Sequence, residues 1–114
     1  MKPGELYDVY FPYQEGQADS QGRAGKIRPA LIMVTDNGKA IAISVKITKS
    51  KPTLYFPNRI PIFNWQFARL TVPSYAEIST LLQIPLNASL PLRGELHPAD
   101  FKNILKAFKN LYRV

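Results

Sequence analysis

The chain has 114 residues, 46% of them hydrophobic, a size and apolar content that suit one domain spanning 1–114 and burying roughly two thirds of its unfolded surface. With no cysteine, disulfides, zinc ribbons and thiol nucleophiles are excluded together, and a single histidine, His97, argues against a histidine-rich metal site. Fifteen Lys and Arg against eight Asp and Glu give a formal net charge of +7, a field that attracts nucleic acid or an acidic protein partner, or else serves solubility alone.

The opening ELYDVYFP, residues 5–12, alternates Leu6, Asp8 and Tyr10 with Tyr7, Val9 and Phe11, which predicts a strand with bulk on both faces. Residues 13–26 carry three glycines and almost nothing apolar, so they are expected to form a long exposed loop. RPALIMV (28–34) and KAIAISVKIT (39–48) flank Asp36-Asn37-Gly38, which predicts an antiparallel hairpin. In its second strand Ile41, Ile43, Val45 and Ile47 share one face; Ala42, Ser44, Lys46 and Thr48 share the other.

Residues 49–66 contain three prolines and little periodicity, predicting loop with at most a short strand around 54–56. The run 76–86 reads as a strand pair or as one strand passing into a loop, because Pro85 forbids a helix interior. At the end, Pro98 suits the first helical position and Asp100 the first turn. Phe101, Ile104, Leu105, Phe108, Leu111 and Tyr112 then mark one apolar helix face, with Lys102, Lys106 and Lys109 outside. Strands with no helix between them, followed by one terminal helix, predict a mainly β fold: a small, closed or nearly closed antiparallel barrel with a C-terminal α-helix.

The blocks PGELYDVYFPY, KIRPALIM, AISVKITKSKP, ARLTVPSYAEI and RGELHPADFKNIL resemble, in order and over nearly the whole chain, the successive motifs of the MazF/PemK family of toxin–antitoxin ribonucleases. The resemblance implies an SH3-like barrel and a homodimer. It also implies metal-independent cleavage of single-stranded RNA that leaves a 5′-hydroxyl and usually a 2′,3′-cyclic phosphate, and an acidic antitoxin as partner. It places the family's active-site arginine on Arg28 and its active-site threonine on Thr48. Attack by an RNA's own 2′-hydroxyl builds negative charge on a phosphorane, which a permanently charged guanidinium and a hydroxyl donor are suited to stabilise. No cofactor is implied.

Around that pair, Lys26, Lys46, Lys49, Ser50, Arg69 and Ser74 are the candidate RNA-binding residues. The chain departs from the family pattern at Arg69, where a glycine is frequent, and at Lys49, where a serine commonly follows the threonine. Arg69 therefore either adds a phosphate contact or fills a turn differently, and Ser50 stands one step beyond the usual serine. Ser74 matches a family serine and either donates near RNA or stabilises the turn after Pro73. The proton acceptor is open between Glu15 or Asp19 in the early loop and water assisted by Arg28; His97, just before Pro98, is more simply a residue of the helix start. Two other readings compete: a non-catalytic barrel that binds a protein, and an RNA-binding barrel using Tyr13, Tyr55 and Trp65 as stacking platforms. The charged, proline-interrupted start has no signal-peptide pattern and no apolar run reaches membrane-spanning length, so a cytoplasmic protein without membrane association is expected.

Overall fold

A computed structural model describes residues 1–12 and 22–113. Its elements are β1 (Glu5–Pro12), β2 (Gly25–Asp36), β3 (Ile41–Thr48), β4 (Arg59–Ile62), β5 (Ser74–Pro85), β6 (Leu92–Glu95) and α1 (Pro98–Tyr112). The six strands form one antiparallel sheet in the order β4-β5-β3-β2-β1-β6, curled into a half-barrel with the helix following it.

Both faces of the sheet are covered, which is why the Ala30 to Met33 run of β2 is buried without alternation. On the helix side, Leu6, Leu31, Val45, Ile47 and Ile78 pack with Ile104 and Phe108. On the other, Phe11, Ala30, Ile32, Ala42 and Ile84 form a smaller cluster flanked by Tyr7, Val9 and Leu90. The faces expected for β1 and β3 are therefore the observed ones. Between the sheet edges, the segment after β4 lies against β6, where a Cβ on Gly94 would overlap the Ala68 carbonyl. Only glycine allows that approach.

The helix begins as its sequence requires. Pro98 stands in the first turn, the His97 Nδ1 accepts from the Ala99 N–H at 3.1 Å, and the chain leaves through Arg113 in a left-handed conformation. Asp100 is buried and accepts from the backbone N–H groups of Phe63 and Asn64 at 3.2 and 2.8 Å, and from the Asn64 side-chain amide at 3.2 Å. It thus pins the end of β4 to the helix start. Ile104 and Phe108 are buried and Phe101, Leu105 and Tyr112 pack beside them, the Tyr112 hydroxyl donating to the Ile78 carbonyl of β5 at 2.7 Å, but Leu111 is exposed.

Several boundaries differ from expectation. Of the anticipated early loop, residues 13–21 lie outside the described residues, while Gly25 and Lys26 already belong to β2, paired with Pro12 and Phe11. The hairpin turn occupies 37–40, so β3 starts at Ile41 instead of Lys39; Asp36 accepts from the Lys39 N–H at 3.1 Å and Ala40, not Gly38, takes the positive φ. The short strand placed near 54–56 is at Arg59–Ile62, where pairing with Ser74 to Glu77 supplies the hydrogen bonds. Residues 74–85 are one long strand, bulged opposite Val45 and Lys46.

Candidate functional site

β2 and β3 run antiparallel with Leu31 opposite Val45 and Ala30 opposite Lys46. The ladder between the two strands ends at Ala30 and Lys46, and Arg28 and Thr48 stand two residues beyond it, Arg28 paired instead with Val9 and Thr48 with Tyr75. The Arg28 and Thr48 side chains line one concavity of about 210 Å³, together with Lys26, Lys49, Leu70, Thr71, Val72, Ser74 and Arg93. Five of the eight residues singled out from sequence, Lys26, Arg28, Thr48, Lys49 and Ser74, are thus brought together.

Thr48 is buried, and its Oγ1 accepts the Ser50 N–H at 3.2 Å, which orients the hydroxyl and leaves its hydrogen to donate. Arg28 is half-buried. Among the described residues neither Arg28 nor Lys26 nor Lys49 has a carboxylate partner, so their positive charge is uncompensated at the concavity. Ser74 is buried and donates from Oγ to the Val72 carbonyl at 2.8 Å, so it stabilises the turn and presents only acceptor capacity to the site.

The other three candidates lie elsewhere. Because β3 ends at Thr48, Ser50 sits in a bend with its side chain exposed, and it reaches the site only through its backbone N–H. Lys46 faces Ala30 on one side and Glu77 on the other. Burial, reinforced by the Arg28 charge and also by Arg59, holds its ammonium below the usual lysine range, with Glu77 opposing. Arg69 lines a separate hollow with Glu5, Phe67, Leu92, Arg93, Gly94 and Glu95. Its φ of 63° is in the left-handed region, which makes Arg69 a turn residue first.

Arg93 and Thr71 were not anticipated from sequence. Arg93 reaches the concavity while its guanidinium grips Asp8 through Nε at 2.7 Å and a terminal nitrogen at 3.1 Å. The partners are 85 residues apart, so no local pattern announces the pair. His97 has its Nδ1 committed to the helix cap and its ring edge-on to Phe67 at 5.1 Å, which agrees with a structural role. Trp65 is half-buried against the main core, Tyr55 is exposed, and Tyr13, Glu15 and Asp19 lie outside the described residues. No group of three or more His, Cys, Asp or Glu is arranged to hold a metal among the described residues, and no helix there is long and apolar enough to cross a membrane.

Comparison with solved structures gives the fold its relatives. The Mycobacterium tuberculosis toxin MazF-mt6 superposes with a TM-score of 0.64 at 18% identity, over 96% of this chain and 97% of that one. An endoribonuclease in complex with its cognate antitoxin, from a mycobacterial species, gives 0.64 at 17% identity over 100% and 96%. MazF in a MazE-MazF complex from Deinococcus radiodurans gives 0.68 at 13% identity over 100% and 97%. The fold of this chain is the MazF fold, a small SH3-like barrel with a C-terminal helix. No protein-family model and no curated protein matches the sequence.

Proposed function

We propose that this protein is the toxin of a type II toxin–antitoxin module, a metal-independent endoribonuclease that cuts single-stranded RNA by attack of the RNA's own 2′-hydroxyl. The observation that carries the reading is the meeting of Arg28 of β2 and Thr48 of β3 in the lining of one basic concavity. A molecule that only binds has no chemical need for that pair. The shared fold with proteins described as MazF toxins and as an endoribonuclease with its antitoxin supports it independently.

In this mechanism RNA lies across the concavity with its phosphates drawn to Lys26, Arg28 and Lys49. O2′ loses its proton to solvent as it bonds to phosphorus, the P–O5′ bond breaks, and O5′ takes a proton to leave as the 5′-hydroxyl. Charge accumulates on the non-bridging oxygens, where the Arg28 guanidinium and the Thr48 hydroxyl donate. Because the nucleophile belongs to the substrate and Arg28 supplies the positive charge, the chemistry calls for no metal. The working form in this reading is a cytoplasmic homodimer restrained by an acidic antitoxin that the net charge of +7 attracts.

The test is cleavage of a long unstructured RNA by purified protein in EDTA. Arg28→Ala and Thr48→Ala are each expected to lower the rate at saturating RNA about 10²- to 10³-fold with folding retained, RNA affinity being kept in Thr48→Ala and weakened in Arg28→Ala by the loss of one phosphate contact. Either variant cutting at the wild-type rate refutes the site. A wild-type protein that binds RNA without cutting it returns the chain to the class of non-catalytic binding barrels.

A further inference from the structure

Between β3 and β4 the chain folds into a tight turn whose tip faces water. Thr53 and Phe56 exchange backbone hydrogen bonds at 3.1 and 3.2 Å, and Thr53 Oγ1 also accepts the Phe56 N–H at 3.1 Å. The two residues held at the tip are the most exposed large apolar side chains among those described, Leu54 at 97% and Tyr55 at 90%.

This turn is braced from below. The Arg59 guanidinium lies over the Phe56 ring at 4.3 Å and donates to the Lys51 carbonyl at 3.1 Å. Its Nε donates to Glu77 at 2.8 Å, and Glu77, fully buried on β5, also accepts from the Ser79 hydroxyl at 2.6 Å. The same guanidinium thus ties both limbs of the turn to a carboxylate in the sheet. A braced turn that keeps a tyrosine and a leucine in water is built for a contact outside the chain.

The surroundings select the partner. From Lys46 to Arg59 the chain carries Lys46, Lys49, Lys51 and Arg59 and no acidic residue. Lys51 stands three residues beyond Thr48, hence within about 11 Å of it along the chain. An exposed aromatic face amid positive charges, on the segment that leaves the proposed phosphate-binding concavity at Lys49, suits single-stranded nucleic acid held by stacking. We propose that Tyr55, supported by Leu54, stacks on an unpaired base of the RNA beyond the cleaved phosphate, and that Arg59 with Glu77 are the positioning residues that hold this platform.

The proposal rests on the ribonuclease reading and is tested apart from it with a labelled single-stranded RNA made uncleavable by a 2′-deoxy nucleotide at the cut site. Tyr55→Ala is expected to weaken binding about 5- to 150-fold, the range for loss of one stacked base, and Tyr55→Phe to retain it. Removing bases one at a time as abasic sites should reveal one position whose loss weakens binding to wild type but has no further effect on Tyr55→Ala. Arg59→Met combined with Glu77→Leu, which spares the buried carboxylate its lost partner, should weaken binding through the same position. Wild-type affinity in Tyr55→Ala, or an abasic effect that adds to it at every position, overturns the proposal. A change in sedimenting mass for Tyr55→Ala with RNA affinity intact shows the tip to be a protein contact and also overturns it. Failure of the wild type to bind RNA at all removes the ribonuclease reading and this one together.

Discussion

Arg59→Met is expected to destabilise the protein by about 3 kcal/mol. The Arg59 and Glu77 side chains are 10% and 1% exposed and meet at 2.8 Å. At an effective dielectric near 20, unit charges at that separation attract by about 6 kcal/mol, most of it offset by the desolvation of both ions. Removing one partner leaves that desolvation uncompensated at the other, which for buried pairs costs about 3–5 kcal/mol. The loss should fall at the lower end, because Glu77 keeps the Ser79 hydroxyl and has half-buried Lys46 opposite it on β3. Equilibrium urea denaturation measures this directly, and the double variant Arg59→Met with Glu77→Leu should return to within about 1 kcal/mol of wild type. A single-variant loss under about 1 kcal/mol, or a double variant no more stable than the single, would refute the view that an uncompensated buried carboxylate is the cause.

Asp100→Ala removes the acceptor for two backbone N–H groups at an exposed segment that water can reach, so a loss of about 2 kcal/mol is expected by the same denaturation assay. Lys46 binds its proton less well in the folded than in the unfolded chain. The difference in stability between wild type and Lys46→Met should therefore shift toward wild type as pH rises toward the unfolded lysine value of about 10.4, and shift back as pH falls; thermal unfolding at a series of pH values reads it, and a pH-independent difference contradicts the assignment. Arg69→Gly relieves a left-handed φ at the cost of a more flexible unfolded chain, so stability should stay level or rise by up to about 1 kcal/mol, with RNA affinity little changed if Arg69 is a turn residue.

The elements that were legible in the sequence are those written in local patterns. Alternation of Leu6, Asp8 and Tyr10 with Tyr7, Val9 and Phe11 determines which residues share a face of β1, though not which face meets the helix, and the spacing of Phe101, Ile104, Leu105 and Phe108 with Pro98 in front determines α1. Arg28 and Thr48 could be singled out because the motifs around them resemble a family; their charge and hydroxyl alone fit many exposed strands. Their meeting in one concavity follows from the β2–β3 pairing just beyond which both stand, a pairing that a short turn between apolar runs already constrains. The rest depended on partners distant in the chain. β4 and β6 are four residues each, too short for a period to declare them, and exist because β5 and β1 offer hydrogen bonds. Leu111 satisfies the helical period but meets solvent, since periodicity names a face without stating which of its positions the core covers. The Asp8–Arg93 and Asp100–Asn64 contacts span 85 and 36 residues, so only tertiary structure could decide which charges are neutralised and which, like Arg28, remain to meet a ligand.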